Sequence, residues 1–242
     1  LKRRDFIIKT SLSGIAITAI PQFTLSQNTN PIELLIGKGN PKLFGSAYKL
    51  QEDAHFAFQK MKKAALKDNI LIQIVSSYRN FEHQKRIWER KYKRYSSQGL
   101  SGEKIIKKII EYSTIPGTSR HHWGTDIDII DGHVHPPKNV LRADHFHRDG
   151  AFIYLRQWME EHASTYGFHL VYTNQSNRKG FKYEPWHYSY KPLSKPYLFS
   201  YKKLNIKDIL LQEKLIGSAF FNEAFMDMYL KENILDINPE LL

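Results

Sequence analysis

The residue pattern predicts a mixed helix-and-strand chain compatible with the α+β class, and three observations carry that prediction. Four short apolar, β-branched or alternating runs read as strands, at 70–75, 125–130, 168–172 and 186–190. Longer segments with apolar residues three and four apart read as helices between and after them. A composition of 41% hydrophobic and 25% charged residues over 242 positions suits one sizeable folded unit with appendages.

The elements follow in order. Lys2, Arg3 and Arg4 open the chain, a modestly apolar stretch runs from Thr10 to Ile20, and Pro21 ends it. This is the pattern of an export signal over residues 1–26. The run Arg3-Arg4-Asp5-Phe6-Ile7-Ile8-Lys9 gives it a twin-arginine look, so the expected location is the periplasm or cell envelope. Eleven apolar-leaning residues are too short to span a bilayer, and no run of about 18 apolar residues exists, which excludes a multi-span protein and predicts no permanent span once the signal is cut. Residues 27–45, interrupted by Pro31, Gly37, Gly39, Pro41 and Gly45, read as a linker or irregular arm. Leu50, Ala54, Ala57, Phe58, Met61, Ala64 and Ala65 form the apolar stripe of a helix over 46–66.

A strand follows at 70–75, then helices at 81–95 and 102–112. Pro116, Gly117 and Gly124 make 114–123 a loop. The strand at 125–130 alternates Asp126 and Asp128 with Ile127 and Ile129. A helix over 149–166 closes at Gly167, and the last two strands flank a polar loop at 174–182. Pro192 and Pro196 are expected to break the chain, and 206–215 and 218–232 to be helical. Residues 46–192 thus form the chemistry-bearing unit, and 193–242 an extension packed on it without recognisable chemistry.

There is no cysteine, so disulfides, thiolate metal sites and cysteine nucleophiles are excluded, and any metal must be held by His, Asp and Glu. The formal charge is +12; removal of residues 1–26 leaves +9, so the basic character belongs to the remainder as well. Such a balance suits anionic partners, namely nucleic acid, a membrane surface or an acidic wall polymer.

Six of the eleven histidines fall between positions 121 and 147. His133, His135, His145 and His147 have nothing to orient them and read as residues of a solvated loop. The block Ser119-Arg120-His121-His122-Trp123-Gly124-Thr125-Asp126-Ile127-Asp128 is different. Gly124 permits a tight turn between His121 and the strand bearing Asp128, so one imidazole and one carboxylate can meet. Asp126 and Asp128 share a face, because strand side chains alternate. A second block, Glu184-Pro185-Trp186-His187, supplies another imidazole and a carboxylate. A metal with three protein ligands keeps a position for water, and a nearby carboxylate can take that water's proton. A third block, Ser76-Ser77-Tyr78-Arg79-Asn80-Phe81-Glu82-His83-Gln84, joins a strand to a helix and places Arg79 where it can meet a carboxylate or a developing oxyanion. Asn80 reads equally as a helix cap.

Together these blocks resemble the VanY-type D-alanyl-D-alanine carboxypeptidases, zinc peptidases of bacterial cell walls. The family pattern Ser-x-His-x-x-Gly-x-Ala-x-Asp is met by Ser119, His121, Gly124 and Asp128, and its Glu-x-x-His by Glu184 and His187. Its Ser-x-Tyr-Arg followed by Gln is met by Ser76, Tyr78, Arg79 and Gln84. The resemblance covers roughly residues 46–190, and one departure stands out: Asp126 occupies the alanine position, where it could compete with Asp128 for a metal or adjust the charge of the site.

The resemblance implies a small antiparallel sheet with helices packed on it and one zinc ion per chain held at the sheet by His121, Asp128 and His187. It implies Glu184 as general base and later proton donor, and Arg79 at the oxyanion or substrate carbonyl. Ser119, with Ser76, Gln84 and Tyr78, would bind the peptide and its terminal carboxylate. The implied substrate is the peptidoglycan stem peptide, acted on by a monomer. An endopeptidase on the same scaffold is the first rival, since motifs at a metal do not set the walls of a pocket. A non-catalytic zinc module has no need of Glu184 and Arg79. A nucleic-acid binder is disfavoured, because the basic residues are spread along the chain and an export signal precedes them.

Overall fold

The computed structural model describes residues 30–242, so the expected export signal lies outside the described residues. The sheet has four strands: β1 (Ile72–Ser76), β2 (Asp126–Asp131), β3 (Phe168–Leu170) and β4 (His187–Tyr190), in the order β1-β2-β4-β3. Every neighbouring pair is antiparallel. All four lie within two residues of the expected strands.

The register of β2 on β4 decides what the sheet can do. Asp126 faces Ser189, Ile127 faces Tyr188 and Asp128 faces His187. Opposed residues share a side and alternate residues return to it, so Asp126, Asp128, His187 and Ser189 all stand on one face. Ile127, Ile129 and Tyr188 stand on the other. They pack there with Phe58 and Met61 of α2 (Glu52–Lys67) and with Leu155 and Met159 of α5 (Ile153–His162).

A second apolar core lies beyond the polar face. It joins Phe81 and Trp88 of α3 (Phe81–Ser97) and three isoleucines of α4 (Glu103–Ile109) to the C-terminal segment. That segment holds α6 (Lys191–Tyr201), α7 (Ile206–Gln212) and α8 (Glu223–Tyr229), the last continuing as a π-helical stretch, Leu230–Ile234. Leu198, Tyr201, Leu210, Phe225 and Tyr229 are all buried here.

Two expectations are corrected. Pro192 and Pro196 do not interrupt the chain: α6 starts directly after β4, takes Pro192 into its first turn, where no backbone N–H is needed, and carries Pro196 in its interior. Residues 27–45 do not behave as a linker where they are described. A short helix α1 (Pro31–Leu35) is capped by Asn30; Leu35 and Ile36 are buried; and the Leu35 carbonyl accepts from the Trp123 indole at 3.0 Å. The loop 114–123 ends in a 3₁₀ turn, Arg120–Trp123, capped by the Ser119 hydroxyl and stopped by Gly124 at φ +67°. A Cβ on Gly124 would come within 2.9 Å of Leu43, so both the conformation and the space call for glycine.

Candidate active site

The polar face of the sheet forms the floor of a cleft of about 700 Å³. Three motif-bearing segments meet there because their backbones are tied together. The Arg79 amide donates to the His121 carbonyl at 3.1 Å. The next residue, His122, donates from Nδ1 to the Arg79 carbonyl at 2.6 Å and accepts at Nε2 from the Gly117 amide at 3.1 Å. Those two bonds require a neutral ring, and burial lowers the His122 pKa to about 3. On the far side, the Glu184 amide donates to the Tyr172 carbonyl, and the His187 amide to the Glu184 carbonyl.

One ligand atom each from His121, Asp128 and His187 lies within 4.8 Å of the others, and all three residues are buried. The two imidazoles present opposite nitrogens. His121 donates from Nδ1 to the Ser77 carbonyl at 2.7 Å, which leaves Nε2 facing Asp128 at 3.4 Å. His187 contacts Asp126 through Nε2 at 3.0 Å and turns Nδ1 toward Glu184 at 3.0 Å and Asp128 at 3.8 Å. Two nitrogens, each on a ring held by a partner at its other nitrogen, and a carboxylate oxygen are the donor set that a zinc ion takes without cysteine. No other cluster of this kind is found among the described residues. His145 and His147 instead meet the Lys138 carbonyl and the Tyr183 hydroxyl.

Electrostatics separate the carboxylates. Burial pushes Asp128 up, but His121, then His187 and Arg79, outweigh it and hold it well below its ordinary value. For Asp126, burial is likewise outweighed, here by Arg120 and His187. Burial dominates at Glu184 and raises it despite the His187 bond. His187 resists the pull of burial; bonded by Asp126 and facing Asp128 and Glu184, it is raised to about 10.

The remaining expected residues fall into two groups. Ser119, Gln84 and Arg79 line the cleft. Arg79 donates from Nη1 to the Ser76 hydroxyl at 2.7 Å and lies 3.6 Å from Asp128, while its Nε has no protein partner. Gln84 donates one amide N–H to the Thr114 carbonyl at 3.0 Å, and its Oε1 is buried without a protein partner. Ser76 and Tyr78 are not among the cleft-lining residues: Ser76 orients Arg79 from behind, and Tyr78 is half-buried with its amide on Lys49. Sequence reasoning missed Lys91, which lines the cleft and whose pKa burial lowers to about 8. Its spacing of seven from Gln84, two turns along one helix face, was the available signal. Tyr172 and Phe181, also in the cleft wall, carried no such signal.

Fold and site together define a small α+β protein with a three-donor metal position and a buried carboxylate beside it, on one face of an antiparallel sheet. The chain belongs to the VanY family, described as D-alanyl-D-alanine carboxypeptidase, whose model matches residues 47–193. It is 27% identical over 157 residues to a D-alanyl-D-alanine carboxypeptidase of Enterococcus faecalis, covering 64% of this chain and 53% of the relative. It is 30% identical over 140 residues to the bifunctional D-Ala-D-Ala dipeptidase and carboxypeptidase VanXYC of Enterococcus gallinarum, covering 57% and 65%. This chain thus spans between about half and two thirds of these relatives. Among solved structures, VanYB in complex with D-alanine-D-alanine shares the fold at a TM-score of 0.52 and 23% identity, over 72% of this chain and 91% of that one. A VanY D,D-pentapeptidase structure in complex with Zn(II) aligns at a TM-score of 0.50 and 23% identity, over 62% and 76%.

Proposed function

We propose that this protein is a zinc-dependent D-Ala-D-Ala carboxypeptidase that removes the terminal residue of peptidoglycan stem peptides. The observation that carries the reading is the convergence of one ligand atom each from His121, Asp128 and His187 within 4.8 Å, with the Glu184 carboxylate 3.0 Å from His187 Nδ1. One zinc ion would be held by these three side chains and would supply Lewis acidity and a nucleophile at neutral pH.

The chain's own residues do the rest. Glu184, its proton affinity raised by burial, accepts the proton of the attacking water and returns it to the departing amine. Arg79, with an unpaired Nε, presents positive charge to the oxygen of the scissile carbonyl. Ser119 and Lys91 line the cleft on which the terminal carboxylate would lie. The family's cell-wall substrates and the signal-like residues 1–26 support action in the periplasm or cell envelope. Among the described residues no helix is long and apolar enough to cross a membrane.

Incubation of the purified protein with muropeptides, followed by mass analysis, tests the reading. Release of a single D-alanine is expected. A cut inside the stem would make the protein an endopeptidase, and no cut in a zinc-loaded sample would end the enzymatic reading.

A further inference from the structure

Asp126 stands where the family pattern has alanine, and its surroundings define its work. It is fully buried, and four donors reach its two oxygens. Oδ2 accepts from His187 Nε2 and from Arg120 Nε, both at 3.0 Å. Oδ1 accepts from the Ser189 hydroxyl at 2.6 Å and the Thr125 hydroxyl at 2.7 Å. A carboxylate so occupied has no lone pair left to aim at a metal, so Asp126 does not compete with Asp128. Its donors are fixed in turn. Arg120 donates from Nη2 to the Ser189 hydroxyl at 2.7 Å and lays its guanidinium 4.8 Å over the Trp123 ring, and the sheet register sets Ser189 directly opposite Asp126.

We propose that Asp126 is the positioning residue of His187: it takes the Nε2–H, fixes the ring in that tautomer, and thereby turns the Nδ1 lone pair to the metal position. The ring lies between two carboxylates, Asp126 at Nε2 and Glu184 at Nδ1, and so carries both protons when no metal is bound; a metal at Nδ1 would take the place of one, and Asp126 keeps the other on Nε2. Without Asp126 the nearest acceptor for the ring is Glu184 at Nδ1, the nitrogen that must be free. Arg120 keeps the buried carboxylate charged and locates it, so the cluster of Arg120, Asp126, Ser189 and Thr125 acts as one rigid backstop. The inference rests on His187 being a metal ligand and is independent of which peptide bond is cut.

The test is the zinc dissociation constant of the full chain, measured by competition with a chromogenic chelator, together with long-range ¹H–¹⁵N NMR of the His187 ring in the zinc-loaded protein. Asp126→Ala should weaken zinc binding by about 10–100-fold, the usual scale for losing such a support, and should mix the ring tautomers. Because that change strands a buried guanidinium, the double variant Arg120→Met/Asp126→Ala removes both charges, and the same weakening is expected there. Asp126→Asn, which keeps an acceptor for Nε2–H, should restore part of the affinity. Wild-type affinity in both alanine-bearing proteins overturns the inference, as does weakened affinity with the His187 ring still a single Nε2–H tautomer. His187→Ala separates the levels. It should lose zinc, and a His187→Ala protein that kept it would overturn the ligand assignment itself.

Discussion

The two imidazoles of the site are held by two different kinds of structure. His187 stands on β4, and its place relative to Asp126 and Asp128 follows from the register of two adjacent strands. His121 stands on a 3₁₀ turn at the end of a loop, and that loop is braced by the C-terminal helices. The Tyr229 hydroxyl meets the Ile115 amide at 3.0 Å and the Thr118 hydroxyl at 2.8 Å. Tyr201 donates to the Gly117 carbonyl at 3.1 Å, and Trp88 to the Ile216 carbonyl at 2.9 Å. One side of the site is thus built by strand pairing. The other rests on a turn braced by a segment that the family model, which stops at residue 193, does not include.

The sharpest way to break this comparison is to remove the brace. A chain ended after residue 193 would expose Trp88, Ile105 and Ile106, all 0–1% exposed in the whole protein. Given the few kcal/mol by which domains are stable, it should show no cooperative thermal unfolding and no zinc binding. A truncated chain with a native melting profile would show the brace to be dispensable.

A milder change on the sheet side should touch chemistry and leave structure alone. Glu184→Gln keeps shape and ligands, so zinc content and Tm should match wild type, while kcat falls by about 10²–10⁴. An active Glu184→Gln protein would leave the mechanism without its base. The mirror experiment lies on the brace. Tyr229→Phe strips two hydrogen bonds from the loop and leaves the Ile115 amide without this partner. The expected cost is about 1–3 kcal/mol of stability in denaturant titration, with kcat within a few-fold of wild type. A variant as stable as wild type would mean that packing alone holds the loop.

The smallest effect concerns Lys91, on the braced side of the cleft. Burial lowers its pKa to about 8, against the opposing pull of Glu184. The side chain is charged below that value and neutral above it, so KM for a peptide ending in a carboxylate should rise as pH climbs through 8. The rise should be about two- to fivefold, the scale of a partly solvated ion pair of about 0.5–1 kcal/mol. Lys91→Gln should flatten that segment of the profile, and a KM already flat in wild type would remove Lys91 from the binding surface.

The same contrast governs what could be read from the amino-acid order. The strands at 126–131 and 187–190 announced themselves by alternation, and so did the shared face of Asp126 and Asp128, because a period of two is a local property. That Asp126 lies behind His187 was not legible, since it depends on pairing residues 61 apart. The first turn of α6 was obscured by Pro192, which signals a break in isolation but is favoured where a helix begins. The packed arm around Leu35 and Ile36 looked like a linker because its glycines and prolines were visible while Trp123, the side chain it supports, lay 88 residues away. The chemistry of the C-terminal segment was invisible for a simpler reason: it offers hydroxyls and apolar surface to a loop, and leaves no motif.

That arrangement also sets an order of events during synthesis. The Tyr229–Ile115 and Trp88–Ile216 bonds close loops of 114 and 128 residues, contacts of the kind that form late because a long stretch of chain must be ordered before they bring any gain. When β4 leaves the ribosome, the pairing of β2 with β4 can already form, whereas the bonds that brace the loop before His121 still await more than thirty residues. The bonds from Tyr229 to the loop before His121 can therefore form only once α8 has been made, after every other residue that touches the metal position.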